Sequence, residues 1–541
     1  MRPLLERLGG FLPAAIALAL PTVFIPIAVD SYILPRASIV IAGAGLGAGL
    51  ALLLPGGPRL GSLRLPLLAA ILAATLAYDF SVNQGVSLAG SYTRYESMPV
   101  RLSYLALLAV PVWLLRDRRS RDLVVPALVF GTAIASVQAL VQQVMLTNHE
   151  IDYRPDGNLG NANLLGALLA MSIPLAVARG LRGGRFVVAW WIGVLVMVIA
   201  LVASTSRSGG LGALAGCLAL AVFQLKGRKA LWGTLAAAAV VGAALLAILL
   251  SPLRLLNDDP GPTRLHLWPD AVHMIAARPL TGWGEDATGL VFGQFLSGDW
   301  APQVDRAHSG PLDIAATQGL VGLAALGWVL VVWLRGVWRW RLGASVGPLA
   351  AACIGYTVWV LFNFDWAPAT GAFWLLAGTA WSGVRASETA GSTQPGRPDP
   401  VPRQRALRSL AAALLAVVVV WLGVAPILAD IWYYQGKLEL AAAADPIQGR
   451  YAWVFGKSLV ARGFPIGGLQ EMKVAAHQGE SDPQLYVDIG DAEVALGHSA
   501  DARAYYLMAL KIDPYFVPAR QRLAGKGVPP SNFEQVLPIA E

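Results

Sequence analysis

Charge is scarce in this chain. Asp, Glu, Lys and Arg make up 14% of its 541 residues, against 56% hydrophobic. A soluble chain of this length carries about a quarter charged residues, so a water-exposed globular fold is excluded. Cysteine is nearly absent. Cys217 and Cys353 both sit in apolar runs, which excludes a disulfide framework and a Cys-rich metal site. The Gly-x-x-x-x-Gly-Lys-Ser/Thr phosphate cradle is missing, and with it any sign of nucleoside triphosphate use. The chain has a net charge of +8, but no basic patch lies on a soluble face, so nucleic acid is not a partner.

What the chain has in abundance is long apolar runs. Thirteen are long enough to cross a bilayer, which takes about 20 residues: 11–29, 38–54, 65–80, 101–115, 122–145, 161–178, 186–204, 208–224, 230–251, 312–334, 346–364, 367–383 and 407–428. Phe186–Thr205 and Leu231–Leu250 hold no charge at all. The first run is followed at once by another and lacks a clear small-residue cleavage site, so it reads as an anchor rather than a signal peptide. The expectation is an all-α polytopic membrane bundle of about 12–13 spans.

Positive charge alternates between the connections. The N-terminal tail and connections 55–64, 116–121, 179–185, 225–229, 335–345 and 385–408 hold 22 Lys and Arg, and the other short connections hold only Arg36, Arg94, Arg101, Arg154 and Arg207. By the positive-inside bias the basic set is cytoplasmic. The N-terminus is then inside, and loop 252–311 and everything after 428 are outside.

Three regions follow. Residues 1–384 are the membrane body, with loop 252–311 carrying part of any site. Residues 385–406, rich in Pro, Gly and Ser, read as a cytoplasmic linker. Span 407–428 leads to an extracytoplasmic helical domain, 429–541. Within it Tyr486, Ile489, Gly490, Gly497, Ala502, Tyr506, Ala509 and Pro514 fall at tetratricopeptide spacing. One such repeat cannot bury its own face, so it must stack on neighbours or on the membrane body. Modules of this kind bind a partner protein.

Arginine on the outer side opposes the insertion bias, and anion binding explains it most simply. Arg207 sits in Ser204-Thr205-Ser206-Arg207-Ser208-Gly209-Gly210, where a tight turn leaves backbone N–H groups to face an anion. Arg154 precedes a polar helix start containing Asn161 and Asn163, and Arg94 lies in Gly90-Ser91-Tyr92-Thr93-Arg94-Tyr95. In the long loop, Leu267, Trp268, Ala271, Met274 and Ile275 form one stripe, which predicts a helix over 264–278 lying in the membrane interface. The loop ends in Asp305-Arg306-Ala307-His308-Ser309-Gly310-Pro311. His308, at the mouth of the bundle beside Arg306, is the histidine most suited to chemistry.

Taken in order, several segments resemble the O-antigen ligase and polymerase superfamily of polytopic glycan transferases. They are the 90–95 segment, Gly157-Asn158-Leu159-Gly160-Asn161-Ala162-Asn163, Thr205-Ser206-Arg207-Ser208, and Arg264 with Trp268. Arg278-Pro279-Leu280-Thr281-Gly282-Trp283-Gly284, Ala307-His308-Ser309-Gly310-Pro311-Leu312 and Gln318-Gly319-Leu320-Val321-Gly322 complete the set. Where the family usually has Asn after the histidine, this chain has Ser309.

The resemblance implies a metal-independent, inverting transferase of the GT-C type in a bacterial inner membrane, with no cofactor. It implies a glycan on undecaprenyl pyrophosphate as donor, and as acceptor a lipid A core sugar, a growing repeat unit, a protein hydroxyl or a cell-wall polymer. It implies His308 as base and Arg207, Arg264, Arg154 and Arg94 on the pyrophosphate, with Ser206, Asn161, Asn163, Arg278 and Arg306 in support.

Rival readings are a transporter of lipid-linked or small anionic substrates, a metal-dependent transferase using Asp258, Asp259, Asp299 or Asp305, and a scaffold acting through its tail. Few charges lie inside the spans, and Asp365, between two of them, is a weak exception, which disfavours transport.

Overall fold

The computed structural model describes residues 2–54, 60–148, 154–223, 228–250, 261–299, 304–343, 346–389 and 402–525. Arg59, His149, Lys226, Asp258, Asp259, Arg397 and most of the 385–406 linker lie outside that set. The described residues are helical with short turns.

Each of the thirteen expected spans is a helix. In order these are α1 (Arg2–Thr22), α2 (Ile33–Leu53), α3 (Arg64–Asp79), a short α4 (Gln84–Ala89), α5 (Met98–Leu114), α6 (Arg118–Asn148), α7 (Ala162–Leu181), α8 (Val187–Ala203), α9 (Arg207–Phe223) and α10 (Arg228–Leu250). Then follow the loop helix α11 (Gly261–Ala277), α12 (Gly310–Arg339), α13 (Val346–Val360) and α14 (Ala367–Thr389). The last span is α15 (Pro402–Val419), a π turn at Val420–Val424, and α16 (Ala425–Tyr434). Among the described residues seven helices are long and apolar enough to cross a membrane, and five shorter ones are apolar over 10–17 residues. This is a polytopic helical membrane protein.

α14 belongs to neither group. Every residue from Ala367 to Val384 is buried. Its neighbours shield it from lipid, so it needs less hydropathy than a lipid-facing helix. The core runs through α7 and α14, with Leu165, Leu169, Leu375 and Ala380 at 0% exposure. Small residues let axes approach: a Cβ on Gly209 would stand 2.7 Å from Gly166 Cα.

Two expected boundaries move. α14 runs on to Thr389, so the linker does not begin at 385. The final span runs to Tyr434 rather than 428, because Asp430 is buried and tied into the body. Asp430 accepts from the Asp30 amide at 2.7 Å and from Tyr92 Oη at 2.6 Å.

Beyond it come α17 (Leu438–Ala444), α18 (Gly449–Ala461), α19 (Pro465–His477), α20 (Pro483–Ala495), α21 (Ser499–Ile512) and α22 (Val517–Leu523). α18 pairs with α19, and α20 with α21. Tyr486, Ile489, Ala502, Tyr506 and Ala509 lie buried between the helices. Asp482 caps α20 by accepting from the Gln484 amide at 3.0 Å.

The stripe on α11 is also buried, but against protein. Leu267, Ala271, Met274 and Ile275 pack on Phe292, Ala307, Ala315 and Ala316. The expected interfacial helix is therefore a cover over the start of α12, while Leu265 and Val272 on its other side are exposed.

Candidate functional site

The loop is fixed to the bundle by two glycine-bearing segments that dock on each other. α12 is broken at Gly319, whose φ of 68° and ψ of −174° are not helical. At the break the Trp283 and Gly284 amides donate to the carbonyls of Ala316 and Thr317 (2.9 and 3.0 Å), and the Leu320 amide donates to the Pro279 carbonyl (2.7 Å). Gly282 has φ 68°, and a Cβ there would stand 2.5 Å from Thr317 backbone. Only glycine tolerates both the dihedral and the approach.

This docking carries Glu285 and Asp286 into the bundle. Glu285, fully buried, accepts from Arg101 Nε at 3.3 Å and from Gln318 Nε2 at 2.5 Å. Arg101 also pairs with Asp365 at 2.5 Å, and Tyr356 Oη donates to Asp365 at 2.9 Å. Asp286 accepts from the amides of Ser91 (2.7 Å) and Glu96 (3.1 Å) and is ion-paired with Arg306. A buried charge network therefore ties segment 90–101, the loop and the α13–α14 turn together. Burial pushes Glu96 up to about 8, with Arg101 opposing.

His308 sits on this frame. Its φ is 51°, in the left-handed region that ordinary residues avoid. Its neighbours enforce the conformation. The Ala307 amide donates to Asp313 Oδ1 at 2.8 Å, Trp268 Nε1 donates to the Ala307 carbonyl at 3.1 Å, and the Asp313 amide donates to the Ser309 carbonyl at 2.8 Å. The imidazole packs edge-on against Phe364, centroids 5.0 Å apart. Arg94 lies over the same ring at 4.9 Å and over Trp366 at 4.8 Å, and its Nε donates to Asp305 at 2.6 Å.

Burial is the main cause that pushes His308 down, to about 4. Asp305 opposes it, and Arg94, Arg264 and Arg306 reinforce it. Burial alone would raise Asp305, but Arg94 beside it holds the carboxyl below its usual range. Three of the predicted arginines are thus close enough to act on the one predicted histidine.

A second group lies at the start of α9. Arg154 donates to the Ser204 carbonyl at 3.0 Å and to Asn163 Oδ1 at 3.1 Å, and Ser206 Oγ donates to the same Asn163 oxygen at 3.1 Å. Arg207 is the first residue of α9. Its neighbour Ser208 accepts from Asn363 Nδ2 at 2.9 Å. Asn363 precedes Phe364, the ring against His308, so the two groups meet at one end of the bundle.

Several expectations need correction. In the turn before α9 three amides are already bonded. Those of Ser206 and Gly209 bond to the Ser204 and Ser206 hydroxyls (3.4 and 3.3 Å), and that of Gly210 to the Ser206 carbonyl at 2.9 Å, because a helix start needs its own first donors satisfied. Asn161 is the cap of α7, accepting from the Asn163 amide at 2.8 Å. Arg278 is exposed, lying over Trp283 at 4.5 Å and donating to the Phe80 carbonyl at 3.3 Å. Arg306 is paired with Asp286, a frame position. Arg36 is likewise structural, donating to Asn158 and to the Leu20 carbonyl in the bundle interior.

Arg101 stands among the outer-side arginines of the sequence without a role, and Glu285, Asp286, Asp313 and Phe364 are not among the candidates the sequence offers. Glu285 and Asp286 directly follow the quoted Gly282-Trp283-Gly284 turn, and Asp313 follows the His308 motif by five residues. Those signals were available. Phe364 carries no such signal, being one aromatic among many.

For the metal-dependent rival, Asp305 is occupied by Arg94. Among the described residues the one His/Cys/Asp/Glu group close enough to share a cation is Glu493, His498 and Asp501 in the tail, where Lys473 already pairs with Glu493 at 2.7 Å.

Residues 192–327 match the family model described as O-antigen ligase. A search of the curated proteins finds no match. The matched stretch runs from α8 through the loop into α12. It contains Arg207, Arg264, Arg278, Arg306 and His308, and the Gly282–Gly319 docking described above. Over residues 192–327 this polytopic membrane protein is therefore similar to the O-antigen ligase family of ligase- and polymerase-type glycan transferases.

Proposed function

We propose that the protein transfers a glycan from an undecaprenyl-pyrophosphate donor to an acceptor hydroxyl at the extracytoplasmic face of a bacterial inner membrane. The observation that carries this is a buried imidazole, His308, with Arg94, Arg264 and Arg306 in electrostatic reach and the Arg154–Arg207 helix start alongside. The facing of the site follows from charge. Basic connections meet at the other end, where Arg121, Arg179 and Arg182 line one cleft, and that end is read as cytoplasmic.

In this reading the acceptor oxygen attacks the anomeric carbon and inverts it. The C–O bond to pyrophosphate breaks, and its electron pair leaves on the diphosphate. The hydroxyl proton passes to His308, which must be neutral to accept it. Arg207 and Arg264 hold the leaving diphosphate through forked, permanently charged donors, with Arg154 beside them. Arg94, already bonded to Asp305, positions the histidine more than it binds phosphate. Diphosphate binding offsets the guanidinium charge that depresses His308, so the base strengthens as the donor arrives. No nucleotide, metal or other cofactor enters.

Ligase, polymerase and protein oligosaccharyltransferase differ in the acceptor alone. Reconstitution with an undecaprenyl-pyrophosphate glycan, each acceptor class, and buffer with or without chelator tests the whole reading. Chelator-insensitive transfer to one acceptor is expected. Translocation of intact donor without transfer would replace it with the transporter, and transfer abolished by chelator would replace it with the metal-dependent route.

A further inference from the structure

The tail is not a free arm. Gln448 Nε2 donates to the Gly90 carbonyl at 3.1 Å, Asn83 Nδ2 donates to the His477 carbonyl at 2.9 Å, and Tyr451 Oη donates to Asp430 at 3.1 Å. On its other side Leu290 of the loop packs into the tail's own apolar core. The loop that carries His308 is therefore held between bundle and tail.

Where they meet they line an open-mouthed cavity of about 230 Å³. Its body wall includes Arg94, Asp286 and Asp305, and its tail wall includes Arg450, Glu480 and Asp482. All but one of its lining residues carry a polar side-chain group. Arg94 pairs with Asp305 at 2.6 Å, and Arg450 with Glu480 at 3.2 Å and with Asp482 at 3.6 Å. The charges thus hold one another in place and present fixed donors and acceptors. Four carboxylates face two guanidiniums, with Arg306 behind Asp286 as a third, so the lining keeps a net negative charge and repels a diphosphate. Its volume, at about 30 Å³ per water in the liquid, suits a sugar ring with its hydroxyls. It abuts the Arg94–Asp305 pair, on the same side as His308.

We infer that this cavity is the acceptor subsite, built half from the tail, and that it takes an uncharged, polyhydroxylated sugar. Resting on the transfer reading above, it assigns the tail to acceptor choice rather than to donor binding. Fixed carboxylate–guanidinium pairs bond sugar hydroxyls from both sides, and each bond to a charged group is worth enough to matter for affinity.

Two variants on the tail wall test it in the full-length protein. Ser481→Trp fills the cavity. Asp482→Asn removes a charge while keeping the cap on α20, since Asn caps as well as Asp. Saturation-transfer NMR in detergent uses lactose and cellobiose as neutral probes and glucose 1-phosphate as the anionic one. We expect contact from a neutral probe in the wild type and in His308→Ala, its loss in Ser481→Trp, and little from the phosphate. In turnover, Asp482→Asn should raise the acceptor KM about tenfold at unchanged donor KM. The inference falls if neither neutral sugar makes contact, if Ser481→Trp retains it, if the phosphate is preferred, or if the donor KM moves instead. Absence of any transfer by the wild type would sink the reading of function, whereas sugar contact would still report on the cavity.

Discussion

The pH dependence of transfer is set by His308, and its position follows from the packing. A free imidazole titrates near 6.5, whereas burial among Arg94, Arg264 and Arg306 pushes this one to about 4. At pH 5.5 an ordinary imidazole is about nine-tenths protonated, while one at 4 is about 3% protonated. As kcat/KM follows the free enzyme, an unperturbed base would lose about eightfold in rate between pH 7 and 5.5. The buried one loses almost nothing, and its acid limb appears only near pH 4.

The assay is initial-rate transfer at low donor across pH 4–8. A wild-type limb near 6.5 would refute the reasoning; removing a guanidinium with Arg94→Ala should move the limb upward from 4, and a limb left in place would refute it too. Stability gives a second reading. The fold prefers the neutral ring, so the imidazole costs nothing above pH 6.5. As pH falls from 6.5 towards 4 the unfolded chain binds the proton first and stability declines. His308→Gly should remove that decline, so that the variant gains stability relative to the wild type as pH falls through this range. Glu96, raised to about 8, runs the other way, losing stability as pH rises from 4.5 towards 8, so the two oppose each other between pH 4.5 and 6.5 and Glu96 acts alone above 6.5.

Other outcomes follow from the same frame. Arg207→Lys should lower transfer about a hundredfold with the protein still folded, since a point charge does not replace a forked donor; near-normal turnover in the reconstituted assay would remove Arg207 from the diphosphate. Arg101→Ala leaves Glu285 and Asp365 without their shared cation in the interior and should destabilise the protein by about 3–5 kcal/mol, read as loss of monodisperse protein after detergent extraction. Gly319→Ala places a Cβ 2.1 Å from the Leu280 carbonyl, so the loop should undock, with transfer lost and protease nicking gained within 279–309. His308→Gly should be inactive yet melt above His308→Ala by about 1 kcal/mol, because glycine adopts φ 51° without strain; equal melting of the two would mean the backbone there is not strained.

Sequence alone determined the membrane class and the thirteen helices. Hydropathy and charge alternation act over 20 residues at a time and do not depend on neighbours. His308, Arg264 and the glycines at 282 and 319 were legible because short motifs carried them. What each arginine does was decided only by tertiary structure. Arg94, Arg154, Arg278 and Arg306 look alike in sequence, yet one holds Asp305, one braces Asn163, one lies outside on Trp283, and one is neutralised by Asp286. A guanidinium's role is set by the charge nearest to it, and that charge comes from elsewhere in the chain. The same holds for α11, whose apolar stripe fits a lipid interface as well as a protein core until α12 is seen against it. The cavity under the tail has no sequence signature at all, since its two walls lie some 390 residues apart at Ser91 and Glu480 and meet only because α15 and α16 bring the chain back across the bundle.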